Sequence, residues 1–399
     1  MKLFEKGELK VLWLFYLSAL LSGILFFAPI FFVLYFRSLA LSFFQISILI
    51  AIMPLASLIS EIPTGAVADL YGRKFSHLLG ILLQAICFLS LLFIKSYYGM
   101  LLIFAFLGIS ATFSSGASEA WVVDLVKGKN KKIVHNFFIK ERSLYMLGHF
   151  VSGFIGAFAV KNFGLSIIWP VTAIAFMISF VILIFAEEHH IKKKRFVIKE
   201  SFSRLYEQTK TSLKYTKQHS VLLYFILGSM IFMFTTNFTS DISWIPLLKG
   251  MNFPDYAFGY LWSAMSLMGL IAPFVSKSFM KNRNERKLIV ISTALIGISS
   301  VLILFAYNIP AAVLLLLLSI FLFNFKMPIE RTYIHKFVLT PLRATIISVE
   351  SMAISIATLI ALPIVGLLID KIGARYTIAI SGIILIPAII CYLKIREKK

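Results

Sequence analysis

The chain has 399 residues, is 59% hydrophobic and only 14% charged, and carries a formal net charge of +21. A soluble domain is about 25% charged and 45–50% apolar, and a disordered chain needs low hydrophobicity, so both classes are excluded. A nucleic-acid binder would share the charge but would spread it over a polar surface, so no nucleic-acid partner is expected; an integral membrane protein with basic loops fits the numbers.

A bilayer core of about 30 Å is crossed by about 20 apolar residues in a helix. Twelve segments qualify: 11–36, 43–68, 75–94, 99–123, 135–160, 164–186, 220–247, 256–280, 288–306, 309–330, 344–369 and 375–393. The first apolar run is too long for a signal peptide and is expected to remain as a helix. With the N-terminus inside, 31 Lys and Arg fall on that side and six on the other, leaving Arg142 and Lys326 within spans. This bias predicts a multi-pass protein of the inner or plasma membrane with both termini cytoplasmic. Cys87 and Cys391 lie far apart in apolar runs, and no His, Cys or carboxylate spacing suits a metal, so neither metal nor cofactor is expected.

Between spans two and three the chain reads Gly65-Ala66-Val67-Ala68-Asp69-Leu70-Tyr71-Gly72-Arg73-Lys74. This G-x-x-x-D-x-x-G-R-K loop resembles the signature of the major facilitator superfamily. The resemblance implies an all-α polytopic protein with twelve transmembrane helices in two pseudo-symmetric six-helix bundles. It also implies a conformational latch made by Gly65, Asp69, Gly72, Arg73 and Lys74. In that latch Asp69 would cap the start of span eleven, and Arg73 would pair with Asp124 at the end of span four.

Spans two, four and five carry ionisable residues at a depth where each costs roughly 2.5–3.5 kcal/mol. Glu61, Glu119, Glu141, Arg142 and His149 are the proton-coupling candidates of the first half. Arg142 and His149, seven residues apart, share a helix face. Glu119 or Glu141 is expected to meet Arg142, either as a proton-responsive network or as a static pair. Gly148, Gly153 and Gly156 in span five resemble the Gly-rich fifth helix of the drug-antiporter-like branch, and small residues also suit close packing in lipid.

The stretch 187–219 is the longest polar run and is expected to be a cytoplasmic linker, partly an amphipathic helix on the membrane surface. It divides a bundle at 1–186 from one at 220–399. The halves align near an offset of 210 residues: Pro63 on Pro273, Gly156 on Gly366, Glu119 on Glu330, Glu141 on Glu350. Parallel six-helix repeats with a site between them are a transporter plan.

In the second half, Asn237, Asp241 and Trp244 of span seven fall at helical spacing, either facing a cavity or at the headgroup belt. Glu330 joins them as a cavity candidate, with Lys326 four residues away as a potential partner. Glu350 is the remaining proton-coupling candidate, with Arg343 two turns before it. No phosphate-binding loop is present, so a proton gradient is the expected energy source. The reading is a monomeric secondary active transporter, not an enzyme, working by alternating access. Its partners would be a small-molecule substrate, protons and membrane lipids. Proton-coupled, multidrug-type export of amphipathic molecules by antiport is the first expectation. The alternative is uptake or export of a polar solute such as an organic anion, metabolite or siderophore.

Overall fold

The computed structural model describes residues 4–5, 7–126, 131–188, 219–280, 284–337 and 343–395, and the regular structure among them is entirely helical. Most of the expected linker, from 189 to 218, lies outside the described residues. Hydrocarbon offers no hydrogen-bond partners, so a segment crossing it must satisfy its backbone internally, as a helix does. Among the described residues, eleven helical segments are long and apolar enough to cross a membrane. The twelfth expected span is α4 (Arg73–Ser90), an 18-residue helix made more polar by its first turn and by His77 and Gln84.

Span one is two helices, α1 (Glu8–Leu25) and α2 (Ala28–Ser38). Phe26 leaves helical geometry at φ −82°, ψ 78°. Pro29 sits in the first turn of α2, where its missing N–H costs nothing. The N–H of Ala28, left without a helical acceptor, donates to Thr172 Oγ1 at 3.0 Å. Spans two, four, five and six follow as α3 (Phe43–Tyr71), α5 (Tyr97–Leu125), α6 (Lys131–Phe163) and α7 (Ile168–Ile184). Span seven breaks as span one does. Helix α8 (Ser220–Thr236) gives way to a 3-10 turn at Asn237–Thr239 before α9 (Asp241–Lys249). Asn237 Nδ2 donates to Met233 O at 2.7 Å, closing the end of α8. The expected face shared by Asn237 and Asp241 is therefore interrupted, because no continuous helix joins them. Then come α10 (Ala257–Met280), α11 (Glu285–Leu302), α12 (Ile309–Phe337) and α13 (Arg343–Ile372). Span twelve is α14 (Ala374–Ile384) and α15 (Ile386–Lys394).

The described chain falls into two packed units. Unit one takes the residues up to 39, 52–188 and 255–266; unit two takes 40–51, 219–254 and 267–395. Helix α3 therefore begins in unit two and continues in unit one, and α10 does the reverse. Unit one is built on Phe15, Tyr16, Trp121 and Phe137, with the Phe15 and Trp121 rings edge to face at 4.8 Å. Unit two is built on Phe225, Phe232, Tyr333 and Tyr392.

Close backbone approach, rather than water exclusion, drives helix packing in lipid. In unit one α1 and α6 meet at Gly23 and Gly148, where a Cβ on Gly148 would lie 2.7 Å from Leu20 O. That obstacle is backbone and cannot rotate away. Gly148→Val is expected to destabilise the protein by about 1–3 kcal/mol, read as a lower thermal midpoint in detergent. An unchanged midpoint would show that the crossing is looser than this geometry.

Candidate substrate cavity and its surrounding ion pairs

The Gly23–Gly148 crossing sets the next turn of α6, bearing Glu141, Arg142 and Tyr145, beside the break at Phe26. These four residues line a cavity of about 810 Å3 inside unit one. Its other walls are hydroxyl-rich: Ser18 and Ser22 from α1, Ser114, Ser115 and Ser118 from α5, and Ser179 from α7, with Gln84 and His77 from α4. The α4–α5 wall is cross-linked by hydrogen bonds. Gln84 Nε2 donates to Ser114 Oγ at 3.5 Å, and Ser114 Oγ donates to His77 O at 3.4 Å. Phe15, Phe26, Phe176 and Tyr145 supply aromatic faces.

The expected pairing of Arg142 with Glu119 or Glu141 does not occur: among the described residues Arg142 makes no ion pair. It lies instead over the Tyr145 ring, 5.8 Å from the centroid. Glu141 shares the cavity wall, while Glu119 is exposed and outside the lining. Adjacent residues point about 100° apart on a helix, which keeps Glu141 and Arg142 from meeting each other. One turn beyond Tyr145, the His149 ring lies 4.4 Å from it. Trp262 Nε1 donates to His149 Nδ1 at 3.3 Å. An indole can only donate, so that nitrogen carries no proton and the neutral ring holds its hydrogen on Nε2. That buried Nε2 has no partner among the described groups.

The signature loop forms its expected ion pair. Arg73 bonds to the Asp124 carboxylate and donates to Ala120 O at 2.6 Å. Lys74 Nζ donates to Ile184 O and Ala186 O, each at 2.7 Å, and its backbone N–H donates to Glu188 Oε1 at 3.0 Å. The loop is thus tied to the ends of both α5 and α7. Gly72 has φ 108°, a conformation side chains resist, and begins α4. Asp69, Gly65 and Glu61 are exposed along α3.

The remaining candidates lie in unit two. Lys326 Nζ pairs with Glu330 at 3.0 Å, as the spacing suggests. Glu350 pairs with Arg331 of α12 at 2.9 Å; the side chain of Arg343 is outside the described set. Trp244 is buried, and neither it nor Asn237 or Asp241 lines the second cavity, about 750 Å3, bounded by Pro246, Phe305, Arg375 and Tyr376. Sequence reasoning missed Glu8, which is buried, accepts a 2.5 Å hydrogen bond from Tyr16 Oη and pairs with Lys140 at 2.6 Å. An acid in the first turn, eight residues before a tyrosine, was the available signal. No group of three or more His, Cys, Asp or Glu suited to a metal occurs among the described residues.

The family model of the Major Facilitator Superfamily matches residues 12–327 and 258–399. A Bacillus subtilis (strain 168) protein described as an uncharacterized MFS-type transporter, YxaM, is 23% identical over 96% of this chain and 94% of its own. A point mutant of the nucleoside transporter NupG superposes with a TM-score of 0.80 at 15% identity, covering 97% of this chain and 99% of that one. A D-xylose-proton symporter does so at 0.76 and 13%, covering 97% and 98%. The chain belongs to the major facilitator superfamily and is a multi-pass membrane transporter, not an enzyme.

Proposed function

We propose that the protein is a proton-coupled secondary active transporter of hydroxylated organic anions of about sugar-acid size, bound in the unit-one cavity. The observation that carries this reading is Arg142, a guanidinium that lines the cavity and makes no ion pair among the described residues. Unpaired charge within a membrane is expensive, and a guanidinium fork matches a carboxylate or phosphate. Six serines and Gln84 around it offer hydrogen bonds to hydroxyl groups. That the structures of similar fold include transporters named for a nucleoside and for D-xylose with a proton agrees with a hydroxylated solute.

Glu141 supplies the coupling. The charges that reach it are Arg142 on its own helix and Glu119 on α5, and Tyr16 of α1 is the titratable hydroxyl within its range. Ionised, Glu141 repels an anion held by Arg142; protonated, it does not. Proton and anion therefore favour each other's binding by the same factor, and they travel together. The drive is the proton gradient, with no further cofactor. The basic-residue bias supports cytoplasmic termini in an inner or plasma membrane. A monomer surrounded by lipid is part of the same proposal.

Gluconate binding to purified protein, measured from about pH 5 to about pH 8, tests this. The wild type is expected to weaken about tenfold as pH rises, from a coulombic repulsion of the order expected at a partly wet site. Glu141→Gln is expected to stay tight and flat across the range. Wild-type affinity that is flat or rises with pH would remove the coupling role. The aromatic lining favours a second reading, export of amphipathic compounds. Tight binding of tetraphenylphosphonium with no binding of gluconate would select it.

A further inference from the structure

The chain carries its signature spacing twice. Gly366, Asp370 and Gly373 repeat the order and spacing of Gly65, Asp69 and Gly72, at an offset of 301 residues. The likeness extends to geometry. Gly373 (φ 84°), like Gly72 (φ 108°), ends one long helix and begins the next. A basic residue close behind each glycine donates to backbone carbonyls: Arg73 to Ala120 O, beside its pair with Asp124, and Arg375 Nη1 to Ile303 O at 2.9 Å and Ala306 O at 2.8 Å.

The two aspartates differ. Asp69 is exposed at the end of α3. Asp370, at the end of α13, accepts two backbone hydrogen bonds at the start of α3: Phe43 N–H donates to Oδ1 at 3.0 Å, and Phe44 N–H to Oδ2 at 2.8 Å. One turn earlier Gly366 presses on the same segment. A Cβ there would lie 2.5 Å from Phe43 O and would overlap Ser47 Oγ.

We propose that Asp370 is a positioning residue of the transport cycle: a clamp that holds the first turns of α3 against α13 in the state seen here and releases them in the alternate state. The first N–H groups of a helix have no partner within it, and the dipole there favours an anion, so a carboxylate that takes two of them is a specific clasp. It is also exposed, so water competes for both partners and the clasp can open. Residues 40–51 of α3 belong with unit two and those from 52 on with unit one. The clasp therefore lies within unit two, where residues 40–51 and α13 both belong. The clamp rests on membership of a transporter family and is independent of the anion reading.

The test uses the full chain in nanodiscs, with Cys87 and Cys391 replaced and one new cysteine at a time. Ser47→Cys reports the clamped segment, since Ser47 is 0% exposed. Ser118→Cys reports the cavity. No ligand is present, so failure of the substrate assignment leaves the result untouched. Asp370→Asn is expected to raise maleimide labelling of Ser47→Cys by about threefold to thirtyfold, the range for a lost helix cap. It is expected to lower labelling of Ser118→Cys, and Asp370→Glu is expected to restore both. Gly366→Ala, which wedges the same contact without touching Asp370, should give the Asp370→Asn pattern. Unchanged Ser47→Cys labelling in both variants, or a rise at both reporter positions, would overturn the clamp. The opposite changes at the two sites are what mere loosening of the fold would not produce.

Discussion

Glu330→Gln is expected to lower stability by about 3–5 kcal/mol, the usual result of stranding one partner of a buried ion pair. The stranded group would be Lys326, which is 0% exposed. Its Nζ lies 3.0 Å from Glu330, 3.4 Å from Tyr392 Oη and 3.0 Å from the centre of the Phe232 ring. Tyr392 Oη in turn donates to the same Glu330 oxygen at 2.7 Å. Without the carboxylate, two aromatic faces and one hydroxyl must hold a full charge within the membrane, which they do poorly. The check is thermal unfolding in detergent, where the midpoint should fall by several degrees. Lys326→Met combined with Glu330→Gln should recover most of the loss, because replacing a whole buried pair by apolar groups is often neutral. If the double variant is as unstable as the single one, the charge pair is not the cause.

Arg142→Ala is expected to weaken gluconate binding about tenfold to hundredfold, from the loss of a charged hydrogen-bond donor worth about 1.5–3 kcal/mol. Lysine should recover only part of this, since it offers a point charge instead of a planar fork. The fold should be spared, because Arg142 is exposed, lies over the Tyr145 ring and makes no ion pair among the described residues. Normal binding by Arg142→Ala would remove the anion assignment.

Eleven spans were legible in the sequence because each is a long apolar run, and the Arg73–Asp124 pair because the signature motif points to it. The breaks were harder. Hydropathy stays high through Phe26 and Phe27, so only Pro29 marks the first one. The polar run at 235–241 marks the second but reads equally well as the face of a continuous helix. Pairings between helices carry no local signal. Glu350 finds Arg331, 19 residues away on the neighbouring helix, a partner that no spacing within its own helix singles out. Glu8 sits in a basic leader that hides it as a topology residue. The second signature copy escapes an alignment of halves at an offset near 210, because it ends α13 at an offset of 301. Arg142 was legible as a charge within a span, but that it makes no ion pair among the described residues is a matter of packing.

Joint occupancy of the unit-one cavity by a proton on Glu141 and an anion on Arg142 is the central claim. Titration calorimetry of gluconate near neutral pH, repeated in buffers of different ionisation enthalpy, counts the protons exchanged on binding. Net uptake of up to one proton by the wild type, abolished in Glu141→Gln, is the predicted result; release of protons on binding, or uptake that persists in Glu141→Gln, would contradict it.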